Sequence, residues 1–358
     1  MKITGKSVWV GFGFLVSGIC LWLFLRNIDW ARVGMALREA KYFYVLPGVL
    51  VFFLVYVLRV LRWRSLVSEV KRVSFVNIFS ATAIGFMANH LLPARAGEIV
   101  RTVVLGKKED MGMATVFATI VMERLLDTMS LIILAIGVFA LIPSLHDSTN
   151  PNPTPQEIQD SHFLLQLESG VGILGVVCAL SLFFFIFLDL YTERVMGTIN
   201  RLLSFLPRNL KERLMKILES FVLGLKVLKS VRQVVWLSVL SIGMWFLAVA
   251  GVYVIGYLSF GIKIPFAGMC LVVVCTSLAV ALPQAPGYIG VYHLAVLKSL
   301  ELFHVETSVA QSFAIVMWVA NLFVTLALGS FFLWREGMTF GQIVREPTSS
   351  TEDIGRPL

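Results

Sequence analysis

Long apolar runs separated by short polar segments constrain this chain more than any other feature of its sequence. Six runs approach or exceed the ~20 residues that an α-helix needs to cross the hydrocarbon core of a bilayer. They cover residues 7–25, 42–60, 116–142, 171–190, 234–258 and 308–334. The pattern predicts an all-α polytopic membrane protein, with residues 1–335 as a single integral membrane domain and residues 336–358 as a polar tail.

The composition excludes a water-soluble protein. Hydrophobic residues make up 58% of the chain and charged residues 15%, with a mean hydropathy of +0.84, whereas soluble domains carry about 45–50% and about 25%. Because so few charges cannot cover a soluble fold, a secreted or cytosolic enzyme and a disordered chain are both excluded. The net charge of +8 would suit a nucleic-acid binder, but this hydrophobicity does not, and we expect no nucleic-acid partner.

The sequence contains no motif for a metal, a cofactor or a catalytic nucleophile. It has no GxxxxGK[ST] phosphate loop, no HExxH zinc motif and no GxSxG nucleophile turn. The cysteines lie within apolar runs, without a CxxC pair or a histidine at metal-ligand spacing. They are Cys20, Cys178, Cys270 and Cys275. We therefore predict no disulfide, no metal site, no cofactor and no catalytic residue.

Two further apolar segments, residues 75–106 and 266–303, are each interrupted by proline and glycine. Proline ends a helix and glycine permits tight turns, so each segment is predicted to form two short helices joined by a break. The predicted break residues are Pro93, Gly97, Pro283, Pro286, Gly287 and Gly290.

The distribution of lysine and arginine orients these segments, because basic residues concentrate on the cytoplasmic side of a membrane. Residues 143–169 contain no Lys or Arg and are placed outside. The basic segments 59–72, 107–108 and 193–232 are placed inside, and both chain termini follow them. The first interrupted segment then begins and ends on the cytoplasmic side.

The second interrupted segment lies between a run that leaves the cytoplasm and a run that returns to it, so it begins and ends outside. Two opposed re-entrant helical hairpins within an inverted repeat are therefore predicted. The chain would have about six transmembrane helices, or eight if the hairpins are counted, and would lie in the cytoplasmic (cell) membrane. This orientation places Arg26, Arg32, Arg38 and Lys41 outside, against the charge rule.

The segment 193–232 has apolar residues mostly at three- and four-residue steps with basic residues between them, and it is split near Pro207. This pattern is typical of amphipathic helices on an anionic membrane surface, which would make anionic inner-leaflet lipids a partner. A helical loop packed on the membrane domain explains the pattern equally well.

Charged residues at membrane depth are costly, and they usually pair with each other or line the path of a ligand. Arginine binds phosphate through two parallel N–H groups, so two charged clusters near the first hairpin are candidate sites for a phosphate-bearing headgroup. The alternative is that the charges only neutralise each other. The candidate substrate-binding residues in these clusters are Asn89, Arg95, Glu98, Arg101, Glu123, Arg124 and Asp127.

Neutral polar residues surround the second break. Gln284, Tyr288 and His293 are candidate substrate-binding residues there, together with the backbone that the glycines expose. His293 could also carry a proton, although a lone histidine more often serves only as a hydrogen-bonding residue.

Three motifs together resemble the lysylphosphatidylglycerol synthase transmembrane family, also called flippase-like membrane proteins. Arg59-x-x-Arg62-Trp63 fits the same family, and the likeness covers nearly the whole chain. The resemblance implies lipid movement, since the best-known members flip an aminoacylated phospholipid and others are implicated in moving isoprenoid-linked or other lipids. The three motifs are Asn89-x-x-x-Pro93-x-Arg95-x-Gly97-Glu98-x-x-Arg101, Glu123-Arg124-Leu125-x-Asp127 and Leu282-Pro283-x-x-Pro286-Gly287-Tyr288-x-Gly290.

We therefore expect a non-enzymatic lipid flippase that passes a phospholipid or isoprenoid-linked headgroup through a polar groove, as a monomer or a homo-oligomer. The family's synthases carry a soluble catalytic domain after the membrane part. This chain ends soon after Trp334, so we expect no synthesis of lysyl-lipid. Two alternatives stay open: an intramembrane enzyme that uses Glu123 and Asp127 on a lipid-linked substrate, and a non-transporting membrane scaffold.

Overall fold

The structure is a computed structural model that describes residues 5–26, 28–92, 95–141, 155–205, 207–224, 231–281 and 284–337. Within these ranges the regular structure is helical and contains no β-strand. The all-α class predicted from the sequence is therefore confirmed. Two of the predicted break residues, Pro93 and Pro283, lie outside the described residues.

Five helices of the described chain are long and apolar enough to cross a bilayer. They are α3 (Val45–Ser68), α6 (Met113–Leu141), α7 (Pro155–Leu190), α10 (Val231–Val254) and α13 (Thr307–Arg335). The first apolar run forms α1 (Gly5–Leu25), and α2 (Trp30–Glu39) follows it at an angle of 84°. This bent pair makes a sixth candidate span, which agrees with a polytopic protein of about six spans.

The helix α7 begins much earlier than the sequence predicted. The apolar run starts at residue 171, but the helix starts at Pro155 and includes part of the polar segment that was predicted as an outer loop. Proline is favoured at the first position of a helix because its missing N–H would have no partner there.

Two shorter helices follow α7, with a break around Pro207. They are α8 (Thr192–Leu202) and α9 (Arg208–Gly224). The hydroxyl of Thr115, in the first turn of α6, donates to the carbonyl of Ser220, so α9 packs on the bundle. Large apolar side chains at Leu202 and Phe205 are exposed around the break between the two helices.

The first interrupted segment forms a helical hairpin, α4 (Phe75–Leu91) and α5 (Gly97–Glu109). The two helices pack closely because both lack a side chain where they cross: a Cβ added at Gly97 would lie 1.9 Å from the carbonyl oxygen of Gly85. The N–H of Gly97 donates to Oδ1 of Asn89 at 2.8 Å, which fixes the start of α5 against the end of α4. Gly97 is therefore required for the close packing of α4 and α5.

The second interrupted segment forms a hairpin of α11 (Phe266–Ala281) and α12 (Val291–Glu301), joined through the short 3-10 turn Pro286–Tyr288. Gly287 and Gly290 have φ angles of 74° and 83°, a left-handed conformation that favours glycine. An added Cβ at Gly290 would lie 2.3 Å from the carbonyl oxygen of Ser17, so this glycine also lets α12 approach α1.

The open ends of the two hairpins lie near opposite ends of α13. α13 begins a few residues after the open end of the second hairpin, and its 29 residues extend about 43 Å. At its far end Glu336 is bonded to Lys108 and Ser80, near the open end of the first hairpin. None of the four hairpin helices exceeds 17 residues, or about 25 Å, so each is much shorter than α13.

Candidate functional site

The tips of the two hairpins meet in the middle of the bundle. The guanidinium of Arg95, at the first tip, donates a hydrogen bond of 2.7 Å to the carbonyl of Val280, in the last turn of α11. The rings of His90 and Tyr288 contact edge to face, with centroids 4.8 Å apart. Arg95 and Tyr288 have φ angles of 53° and 61°, so each tip holds one non-glycine residue in the strained left-handed region.

A cavity of about 370 Å³ lies between these tips and the helices α3, α6, α10 and α13, and we name it the central cavity. Polar side chains line its part near the tips, whereas apolar side chains such as Phe52, Val55 and Leu131 line another part. This mixture is typical of a site that binds an amphipathic ligand. The charged residues in its lining are Arg59, Arg95, Glu98, Arg124 and Asp127, and the predicted residues Asn89 and Tyr288 also line it.

Arg124 is the charged centre of the lining. Its guanidinium lies 3.7 Å from the Glu98 carboxylate, 3.5 Å from that of Glu123 and 3.4 Å from that of Asp127. About 32% of its side chain remains exposed, and these ion pairs are longer than charge-assisted hydrogen bonds of about 2.7–2.9 Å. Arg124 is therefore held among three carboxylates, and part of its side chain stays open to the cavity.

A buried ion-pair network lies directly behind the cavity. Arg62, which is fully buried, donates to Asp127 at 2.6 Å, to Glu123 at 3.1 Å and to the Ser241 hydroxyl at 3.0 Å. The sequence pattern assigned Arg62 to a basic cytoplasmic segment. The structure adds that α3 continues to Ser68 and that Arg62 is packed inside the bundle.

Arg101 belongs to this buried network and does not line the cavity. Its guanidinium donates to Glu123 at 2.8 Å and lies 4.0 Å from the centre of the Trp63 ring, a cation–π contact. Arg101 and Glu123 are both fully buried. Their positions indicate that they hold the site together, whereas Arg59, Arg95 and Arg124 face the cavity.

Of the three candidate residues around the second break, only one lines the central cavity. Tyr288 lines the cavity, but Gln284 packs beside Gly13 of α1 and bonds to the Val280 carbonyl. His293 is buried, with its ring centroid 5.3 Å from those of Phe24 and of Trp318. Neither Gln284 nor His293 is part of the cavity lining.

Arg59 is the cavity residue that the sequence reasoning missed as a ligand. It lies three residues before Arg62 on α3, and its guanidinium is 5.3 Å from the Phe86 ring centre. The signal was the pair itself: two arginines three residues apart, directly after an apolar run, share a helix face with that run. Arg59 and Arg62 therefore continue the buried face of α3.

In a comparison with known proteins, residues 10–329 match the family described as the lysylphosphatidylglycerol synthase TM region. The chain is 26% identical over 322 residues to a UPF0104 membrane protein of Methanothermobacter thermautotrophicus, covering 88% of this chain and 92% of that protein. No solved structure matches the chain.

Two further relatives match over less of their length. The chain is 24% identical to a protein of Haloferax volcanii named glycosyltransferase AglD, covering 82% of this chain and 49% of that protein. It is 24% identical over 139 residues to a UPF0104 membrane protein of Pyrococcus horikoshii, 37% of this chain and 41% of that protein. The chain thus spans about half the length of the Haloferax protein.

Proposed function

The chain belongs to the lysylphosphatidylglycerol synthase transmembrane-region family, and on that premise we propose that it moves a phosphate-bearing lipid across the bilayer. The protein would act as a transporter that leaves the lipid chemically unchanged. The headgroup would pass through the central cavity, and the acyl or isoprenoid tails would stay in the surrounding lipid.

The surplus of positive charge at the central cavity carries this proposal. In the part of the chain that the structure describes, the cavity and the network behind it contain five arginines and three carboxylates, which leaves two positive charges without a partner of opposite sign. Uncompensated charge at membrane depth is costly, and an anionic headgroup would balance it. The eight residues are Arg59, Arg62, Arg95, Arg101, Arg124, Glu98, Glu123 and Asp127.

The geometry of the charged side chains also supports a phosphate ligand. Arg59, Arg95 and Arg124 reach the cavity from three elements, α3, the first hairpin tip and α6. Arginine presents a planar fork of N–H donors that matches phosphate oxygens, so three such groups around one cavity suit a phosphate ligand. A volume of about 370 Å³ lies within the range of small-molecule sites, about 300–1,000 Å³.

The arrangement of the hairpins supports a path from both sides. The tips of both hairpins line the central cavity and their open ends lie near opposite ends of α13, which supports re-entrant elements of an inverted repeat. We propose that the end bearing Lys71, Arg72, Lys107 and Lys108 faces the cytoplasm, because basic residues concentrate there. The cavity would then open alternately towards the two leaflets of the cell membrane.

The name of the Haloferax relative raises an intramembrane enzyme as a second candidate. Glu123 and Asp127 would be the acid and base of such an enzyme. Both carboxylates are bonded to Arg62, and Glu123 is bonded to Arg101 as well. A carboxylate held by arginines is a poor proton donor or acceptor, which supports the transporter over the enzyme.

Reconstitution of the purified protein tests the proposal. Vesicles with fluorescent phosphatidylglycerol in the inner leaflet are treated with an impermeant quencher, and the lipids are afterwards recovered for mass spectrometry. We expect faster exposure of the lipid than in protein-free vesicles, without ATP and with no change in lipid mass. A strict ATP requirement, or a chemically altered lipid, would contradict the proposal.

A further inference from the structure

Uncharged hydrogen-bonding side chains line the central cavity beside the arginines, and both hairpins contribute them. They are Asn89 near the end of α4, Ser277 near the end of α11, Tyr288 in the 3-10 turn and Tyr292 in the first turn of α12. We propose that these groups bind an uncharged headgroup that carries hydroxyls, such as glycerol or a sugar, and that the cavity rejects a headgroup with an ammonium group. The inference rests on the proposed function only in taking the ligand to be a phosphate-bearing lipid.

The hydroxyls in this set are free to bind a ligand. Other hydroxyls of the lining, such as those of Thr128 and Thr276, donate to carbonyls of their own helices. In the part of the chain that the structure describes, the hydroxyls of Ser277, Tyr288 and Tyr292 make no such bond, and none of them is fully buried. A hydroxyl can both donate and accept, so these three groups suit the hydroxyls of a ligand.

Asn89 supplies an oriented donor next to these hydroxyls. Its Oδ1 accepts a hydrogen bond of 2.8 Å from the N–H of Gly97, which fixes the side-chain amide. Its Nδ2 group has no hydrogen-bond partner among the described residues, and the residue is only partly buried. Asn89 and Arg95 both belong to the first tip, so one element carries a donor for a headgroup hydroxyl and a donor for the phosphate.

An ammonium group would meet only paired carboxylates in the described lining of the central cavity. The carboxylates there are those of Glu98 and Asp127. Glu98 lies 3.7 Å from the Arg124 guanidinium, and Asp127 accepts a bond of 2.6 Å from Arg62 and lies 3.4 Å from Arg124. Arginines outnumber carboxylates around the cavity, and like charges brought together are costly. The charges therefore act against a cationic headgroup, whereas the free donors favour hydroxyls.

Neighbouring residues hold the second tip in position. The Tyr288 ring contacts the His90 ring edge to face, with centroids 4.8 Å apart. The indole N–H of Trp318 donates to the Gly287 carbonyl at 2.6 Å, which fixes the turn directly before Tyr288. Groups that are already ordered lose little conformational entropy when a ligand binds, so they contribute more of their hydrogen-bond energy to affinity. The Tyr288 hydroxyl is therefore suited to discriminate between headgroups.

Competition among matched lipids tests the inference without requiring transport. The purified protein in detergent is mixed with equal concentrations of dioctanoyl phosphatidylglycerol, phosphatidylpropanol and phosphatidylethanolamine, and the bound lipid is identified by native mass spectrometry. These lipids share the phosphate and the acyl chains, but the headgroup carries hydroxyls in the first, neither a hydroxyl nor a charge in the second, and an ammonium group in the third. We expect phosphatidylglycerol to occupy the protein about tenfold more than either of the others, the effect of one or two hydrogen bonds.

Variants that each remove one hydroxyl identify the groups responsible. Tyr288→Phe and Tyr292→Phe should each lower the preference for phosphatidylglycerol over phosphatidylpropanol about threefold, and the double variant should nearly abolish it. Tyr257→Phe is the matched control, because it removes the hydroxyl of an exposed tyrosine outside the central cavity and should keep the preference. Arg124→Gln should weaken the binding of all these lipids alike, since they share the phosphate.

Several outcomes would overturn the inference. Equal occupancy by phosphatidylglycerol and phosphatidylpropanol would exclude recognition of hydroxyls, and equal or greater occupancy by phosphatidylethanolamine would exclude rejection of the ammonium group. A preference that persists unchanged in the double variant Tyr288→Phe Tyr292→Phe would contradict the assignment to these hydroxyls. Selective binding of phosphatidylglycerol without its movement in vesicles would contradict transport and support the headgroup assignment. Movement of all these lipids at equal rates would support transport and overturn the headgroup assignment.

Discussion

Arg95 at the tip of the first hairpin donates a 2.7 Å hydrogen bond to the carbonyl of Val280, in the last turn of the second hairpin's first helix. The last four carbonyls of a helix have no intrahelical partner, and a cation near them is stabilised by the helix dipole. The Arg95 side chain of the first hairpin therefore supplies a hydrogen-bond donor to the C-terminal end of α11 in the second hairpin. The hairpin tips cannot separate without breaking this bond, so Arg95 couples the two halves of the bundle.

Replacing Arg95 should lower both stability and transport. Arg95→Ala removes a charge-assisted hydrogen bond, and we expect it to cost about 1.5–3 kcal/mol in the free energy of unfolding. Arg95→Gly removes the same bond but tolerates the φ of 53°, so it should be more stable than Arg95→Ala by about 1 kcal/mol. Thermal unfolding in detergent measures the order of the two variants. An alanine variant as stable as the glycine variant would show that the tip backbone is unstrained.

Two variants of the buried network should differ in how much they lower the free energy of unfolding. Glu123→Gln leaves Arg62 and Arg101 without their shared carboxylate, and removing one partner of a buried ion pair costs about 3–5 kcal/mol. Arg101→Met should cost less, because Glu123 keeps its contact with Arg62 and methionine fills part of the space. Unfolding free energies of the two variants check this order. The reverse order would show that Arg101, and not Glu123, is the centre of the network.

The contact between the end of α13 and the first hairpin predicts that the stability of the protein depends on pH. Burial opposes ionisation of Glu336, but its bonds to Lys108 and Ser80 outweigh this and hold the pKa of the carboxyl below its ordinary value of 4.5. A carboxyl whose pKa is lower in the folded state than in the unfolded state stabilises the folded protein. Its full contribution to the free energy of unfolding is present above the unfolded pKa, and this contribution is lost as the pH falls through the folded pKa.

Glu336→Gln is the variant that isolates this contribution. We expect the wild type to exceed it in unfolding temperature by a constant margin between pH 6 and pH 8. The margin should shrink once the pH falls below 4.5. A margin that grows on acidification would mean that Glu336 is destabilised by its surroundings.

Cysteine labelling tests the orientation of the hairpins. In a background without native cysteines, a cysteine at Asp110 should react with an impermeant maleimide only from the cytoplasmic side. A cysteine at Gly261 should react only from the outside. Both positions are exposed and lie at the open ends of opposite hairpins. Labelling of both positions from the same side would exclude opposed re-entrant hairpins.

The fold class could be predicted because apolar runs of about 20 residues indicate helices that can cross a bilayer. The start of α7 could not, since the polar residues between Pro155 and the apolar run are compatible with a loop or a helix. The hairpin breaks were located by proline and glycine, but the close approach of Gly97 to Gly85 depends on a contact between two helices. Such contacts leave no local signal in a single sequence.

The candidate site could be predicted in composition but not in arrangement. Charges in apolar surroundings identified Arg95, Glu98, Arg124 and Asp127, which do line one cavity. The sequence could not show that Arg101 turns away to the Trp63 ring, because helix spacing relates it only to residues on its own helix. The sequence placed segment 59–72 on the cytoplasmic side, but it could not show that Arg62 is buried against Glu123 and Asp127.

Lipid movement by Arg124→Gln, compared with wild type and with Arg208→Gln, tests the central claim most directly. Arg208 is exposed on α9, so its variant controls for the loss of one positive charge. In vesicles with fluorescent phosphatidylglycerol, the account predicts transport lowered by at least about tenfold for Arg124→Gln, the effect of losing one charge-assisted contact to phosphate. Arg208→Gln should be unaffected, and both variants should insert normally. Wild-type transport by a correctly inserted Arg124→Gln protein would contradict the assignment of the central cavity as the headgroup site.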